Sequence, residues 1–238
     1  MTTAHRTLPR WSQQWWVWFT AIFVITFLSF WPSFFSAIVN IETHIIIHGI
    51  SATAWMLLTI IQAWLIKSRR RKNHRTVGYV SLALAVILVL SGLQVLQTMI
   101  LREEAASLAI KFFYLDLTGL LLFCIFLGLA IQAARRRDIP LHLRLITCTA
   151  IIPLEAVLER TYLYGAPALV PNFEVALFAS NLTLIVVAAV LVVGEWWYGR
   201  LRWPFAVLFA YYVVMILTTD MIARAEWFIA AAISYANI

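Results

Sequence analysis

The sequence predicts an all-α, seven-transmembrane helix bundle, and three observations carry that prediction. The chain has 238 residues, of which 63% are hydrophobic and only 12% charged, whereas a soluble domain of this length needs about 25% charged residues to cover its surface. It divides into seven apolar runs, each near the ~20 residues that a helix needs to cross the hydrocarbon core. Its basic residues gather in short connectors between these runs. That is the pattern of membrane topology, so the net charge of +7 implies no nucleic-acid partner.

In order, the apolar runs are Trp15 to Val39, Thr43 to Ile66, Val77 to Ile100, Phe112 to Ala134, Leu141 to Tyr164, Phe173 to Trp197 and Trp203 to Ile222. The first lacks a small-residue cleavage site and is longer than a signal-peptide core, so it reads as an uncleaved span. Pro32 is expected to kink it. Residues 1–14 form an N-terminal segment, 15–222 the membrane domain and 223–238 a C-terminal segment. Of the 18 Lys and Arg residues, all but Arg102, Lys111, Arg160 and Arg224 fall on one side, from Arg6 and Arg10 to Arg200 and Arg202. That bias makes the N-terminus cytoplasmic and, with seven spans, places the C-terminus outside a bacterial inner membrane. Asp138 and Glu195 are the two acids on the inner side. Cys124 and Cys148 lie within spans and read as small buried hydrophobes rather than as a disulfide. Gly78, Ala85 and Gly92 repeat at seven on helix three and supply a strip for close helix packing.

Helical residues turn 100° each, which puts His44, His48, Ser51, Trp55 and Gln62 on one face of helix two. The same arithmetic aligns Arg144, Cys148, Glu155, Glu159 and Tyr162 on helix five. Asp116 falls about one turn into helix four, and Asp220 in the outer third of helix seven. Four helices thus contribute His44, His48, Asp116, Glu155, Glu159 and Asp220 to the outer layer of the bundle. Ionisable groups inside a span are costly and mark function by default. Crowded carboxyls must be protonated, paired or bound to a cation.

Two chemistries fit this layer. In the first, His44 and His48, one turn apart, ligate a divalent zinc, iron or manganese ion with Asp116 and Glu155, leaving Glu159 and Asp220 to donate or accept protons in redox or hydrolytic catalysis. In the second, the same acids form the relay of a proton-coupled transporter, with Gln62 and Arg144 continuing the stripes inward; Pro153, just before Glu155, is placed to break helix five. A third possibility is an assembly subunit of a respiratory complex. A structural reading stands beside them, in which His44 flanks a helix end and Arg160 and Arg224 pair with the acids. The metal reading expects His48 and Glu155 to face one space with side chains within about 6 Å.

At the inner surface, His74 and His142 each open a helix after a basic loop, and such a pair could ligate a haem. The flanking Arg75 and Arg144 suit anionic lipid headgroups better. Gln94, Gln97 and Arg102 stand where they could line an outer opening or meet headgroups. Gln62-Ala63, Arg69-Arg70-Arg71 and His74-Arg75 are echoed by Gln132-Ala133, Arg135-Arg136-Arg137 and His142-Leu143-Arg144, as an ancient duplication would produce.

The run His44-x3-His48-Gly49, Trp55, Gln62-Ala63, His74-Arg75-x2-Gly78 and His142-x-Arg144-Leu145, with Arg160 beyond, resembles a bacterial family of polytopic membrane proteins that forms a domain of unknown function. The likeness spans helices two to five. It implies that the histidines are a family signature, and it implies no activity. Seven spans with intramembrane His and Asp also look like the zinc hydrolases related to alkaline ceramidases and adiponectin receptors, although there the H-x3-H pair lies near the last helix. A microbial rhodopsin is excluded, because helix seven has no lysine for a retinal Schiff base.

Overall fold

The computed structural model describes residues 14–102 and 107–237, and these residues contain helices and turns but no strand. The Arg6 and Arg10 of the topology argument lie outside the described residues, as does the side chain of Arg102. The helices are α1 (Trp15–Phe30), α2 (Thr43–Lys67), α3 (Arg71–Arg102), α4 (Ser107–Arg135), α5 (Ile139–Ile151), α6 (Leu154–Gly165), α7 (Phe173–Trp197), α8 (Trp203–Ala223) and α9 (Glu226–Ala236). Among the described residues, seven segments are long and apolar enough to cross a membrane, α5 and α6 together forming the fifth. That is the architecture of a multi-pass membrane protein.

Local chemistry accounts for the ends and breaks. Pro32 cannot donate to the ladder of α1, and the chain answers with a π-helical turn over Trp31–Phe35. The turn seats the buried Phe34 ring against Gly49 of α2, where an added Cβ would overlap that ring. Pro153 deprives the Thr149 carbonyl of its helical N–H partner, and the fifth span breaks there into α5 and α6. Asp138 caps α5 by accepting the Leu141 N–H at 3.2 Å, and Asn172 caps α7 by accepting that of Val175 at 3.0 Å, so each satisfies an otherwise orphaned donor.

The chain forms two compact units. One is Tyr114–Phe228; the other is Gln14–Phe113 with the C-terminal helix from Ile229. In the latter, α2 packs along α3 and against α1, burying Ser51, Trp55, Met56 and Thr59 of α2 and Ala85, Leu88, Ser91 and Gly92 of α3. The small-residue strip on α3 is therefore partly at this interface, with Gly78 half-buried near Gln62. The last residues are not a plain tail. They form α9, tied down by the Tyr235 hydroxyl on the Leu93 carbonyl at 2.8 Å and by Gln97 Nε2 on the Ala236 carbonyl at 3.3 Å. In the Tyr114–Phe228 unit, α6 packs on α7, α7 on α8 and α5 on α8. Its core includes Leu145, Cys148, Leu184, Leu208 and Tyr212, all fully buried.

Capping geometry corrects the register of the internal echo. Arg69 and Arg137 both adopt the left-handed conformation, with φ of 58° and 61°. Each is followed by an N–H that bonds back across the helix end, Arg70 to the Leu65 carbonyl and Asp138 to that of Ala133, as in a Schellman cap. His74 and His142 then donate their N–H to the Arg70 and Asp138 carbonyls. The two loops therefore correspond residue by residue, and in that register Gln132 matches Trp64, so the two Gln-Ala pairs are not equivalent.

Candidate functional site

The two acids of the helix-five stripe, Glu155 and Glu159, lie with Asp116 of α4 within the Tyr114–Phe228 unit. Glu155 stands in the first turn of α6, directly after the Pro153 break, and is buried; Glu159, one turn on, is buried too. A carboxyl in the first turn of a helix faces the positive end of its dipole. Asp116 of α4 lies within electrostatic reach of both, and Arg160 within reach of Asp116 and Glu159. Asp116 itself is exposed. Because α4 starts at Ser107 rather than Phe112, Asp116 sits about 13 Å into its helix instead of one turn.

Asn181, buried on α7, donates Nδ2–H to Glu155 Oε1 at 2.6 Å and to the Leu177 carbonyl at 3.1 Å, while its Oδ1 is buried with no hydrogen-bond partner among the described residues. On α8 the Tyr211 hydroxyl pairs with Thr118 Oγ1 at 3.2 Å, and Tyr114 pairs with Thr218 at 3.0 Å. Tyr211 and Tyr212 both lie within electrostatic reach of Glu155. The Tyr162 hydroxyl, on the α6 stripe, pairs with Thr183 at 2.7 Å. The Asn181 amide thus bonds a carboxyl directly, while the hydroxyl pairs join α4 to α8 and α6 to α7.

Asn181, Tyr211 and Tyr212 escaped the sequence reading. Asn181 was findable, as an amide within the apolar span α7, where a polar group needs a reason. The tyrosines carried no such signal, since aromatic residues are common in membrane helices.

The expected histidine ligands lie in the other unit. His44 Nε2 faces Thr98 Oγ1 at 3.1 Å and its Nδ1 faces Glu42 Oε2 at 3.5 Å; His48 Nδ1 faces Ser91 Oγ at 3.4 Å. Both hydroxyls give their own protons to backbone carbonyls of α3, so they are placed to accept from the rings. The H-x3-H pair thereby ties α2 to α3. Among the described residues no group of three or more His, Cys, Asp and Glu side chains is arranged to hold a metal ion. His48 belongs to one unit and Glu155 to the other, each with its own partners. Asp220 is exposed on α8.

Of the two surface histidines, His142 donates Nδ1–H to the Ala130 carbonyl at 2.9 Å, while His74 sits half-buried at the start of α3 in the other unit. Arg144 and Arg202 of the Tyr114–Phe228 unit have carboxylate partners. Arg144 pairs with Glu195, both largely buried, and also donates to the Pro140 and Arg200 carbonyls. Arg202 holds Asp138 through Nη1 at 2.7 Å. Hydrogen bonds from Arg202 hold the Asp138 carboxyl below the usual carboxylate range, and the Leu141 N–H adds to the effect. Asp138 and Glu195, the two acids set among these arginines, thus lock the α4–α5 and α7–α8 loops to each other.

No family model, curated protein or solved structure matches this chain.

Proposed function

We propose that this integral membrane protein is a proton-coupled transporter in which Asp116, Glu155 and Glu159 take up and release protons. One observation carries the reading: the fifth span is broken at Pro153, and the first turn after the break delivers a buried carboxyl to two others and to Asn181. Broken helices whose half-helix ends face ionisable groups near the middle of the membrane are how secondary transporters build their binding and coupling sites. Exposed Asp116 is the port through which protons reach buried Glu155 and Glu159, and Arg160 offsets their combined charge. The positive-inside bias orients the arginine-rich loops to the cytoplasm of a bacterial cell, so the acids load from the outer side. Anionic headgroups neutralise the exposed arginines of the α2–α3 loop.

The experiment is proton flux in proteoliposomes holding the purified protein, with a trapped pH dye and an imposed potassium diffusion potential. Wild type is expected to acidify the lumen, and Glu155→Gln to lose the flux by at least about tenfold. Flux that persists in Glu155→Gln removes the reading.

A further inference from the structure

The outer acids of this unit need a route past the middle of the membrane. Tyr212 stands where that route would run. It is fully buried on α8, on the face that also buries Leu208, Met215 and Thr219. Its hydroxyl has no hydrogen-bond partner among the described residues, although the adjacent Tyr211 is bonded to Thr118. A buried hydroxyl left unpaired is a cost that phenylalanine would avoid, so a purely packing role does not explain it.

Three titratable groups lie within electrostatic reach of this hydroxyl: Glu155 of α6, Tyr211 beside it on α8 and Cys148 of α5. On α7 the nearest acid on this route is Glu195, which lies within reach of Cys148, and the uncharged Asn181 is already bonded to Glu155. Tyr212 and Cys148 each stand nine residues from the start of their helices, about 13 Å along the axis. In a core about 30 Å thick that is close to the midplane. Glu155 lies beyond this level and the Glu195–Arg144 pair lies before it, at the arginine-rich end of the unit.

We propose that the Tyr212 hydroxyl is the midplane crossing point for protons, linking Glu155 to the Glu195–Arg144 pair along a water-lined path beside Cys148. The inference rests on the proton-coupled reading above. In the step, the carboxyl O–H bond of Glu155 breaks and its proton passes to a water molecule between the two groups, while one of that water's own O–H bonds breaks as an O–H bond forms on a lone pair of the Tyr212 oxygen. The tyrosine's own proton leaves at the same time to a water molecule below. That water, now carrying an extra proton, gives one to the Glu195 carboxylate. One proton enters the hydroxyl and one leaves, the tyrosine ends neutral, and rotation of its O–H resets it.

The test uses the intact protein in the same proteoliposomes, with Tyr212→Phe, Tyr212→His and Glu155→Gln. Tyr212→Phe is expected to melt no lower than wild type, because it deletes an unpaired polar atom, and to lose proton flux by at least about tenfold. Tyr212→His, which restores a transferable ring proton, is expected to recover part of the loss. Wild-type flux in Tyr212→Phe beside lost flux in Glu155→Gln would overturn the crossing point and leave the reading of the acids intact. Folded Tyr212→His with no more flux than Tyr212→Phe would assign the loss to packing and overturn the proposal as well. Undiminished flux in Glu155→Gln would remove both.

Discussion

Asp138 shows how one side chain can do two jobs at a helix start. It caps α5 through the Leu141 N–H and pairs with Arg202 of the loop before α8. Because its carboxyl is held below the ordinary range in the folded protein, the stabilisation is fully present above the unfolded carboxylate pKa and is lost as pH falls through the folded one. The melting temperature of wild type should therefore drop on acidification below the carboxylate range. Asp138→Asn, which keeps a cap acceptor but no charge, should start lower at neutral pH and lose less over the same interval. Thermal melts at neutral and acidic pH check this, and an equal drop in both proteins would show that another acid carries the effect. At this scale the sequence was informative about chemistry but not about pairing. It marked Asp138 and Glu195 as odd acids among arginines, yet the residues they meet are set by loops far apart in the chain. It marked His44 and His48 by their spacing, but not that they face Thr98 and Ser91 of α3, two hydroxyls that carry no signal of their own. The glycine after His48 has a local reason too: Phe34 occupies the space where its side chain would be.

At the scale of elements, the fifth span is the decisive one. Hydropathy makes it a single run, and Pro153 converts it into two helices with Glu155 at the second N-terminus. Pro153→Ala restores an N–H for the Thr149 carbonyl and removes an interior-helix cost of about 3 kcal/mol. The variant should melt at or above the wild-type temperature. It should also lose proton flux, because a continuous helix turns Glu155 away from the dipole end and from Asn181. Stability gained with flux intact would show that the break serves folding alone. Span existence and most boundaries were legible, because about 20 apolar residues leave little choice inside a bilayer. Two of the misjudged ends have a local reason. Arg71 to Thr76 continue α3, since exposed arginine and lysine are good helix formers, and the segment after Ala223 folds into α9 because Phe228, Ala232 and Ala236 make one buried face.

For the whole molecule, the two compact units divide the polar residues between them. Histidines and hydroxyls tie α2 to α3 in one, and the carboxyls gather in the other. Helical periodicity could find each polar stripe but could not say which stripes share a unit, because that depends on the order in which helices pack. The central claim is that Glu155 exchanges protons inside the membrane domain. A hydrophobic carbodiimide, which attaches only to protonated carboxyls, tests it most directly when the reconstituted protein is labelled across a pH series and the modified peptide is identified by mass spectrometry. The account predicts that Glu155 is labelled, that labelling declines as pH rises, and that proton flux falls in step with the labelled fraction. Labelling that never reaches Glu155, or that reaches it without affecting flux, would contradict the account.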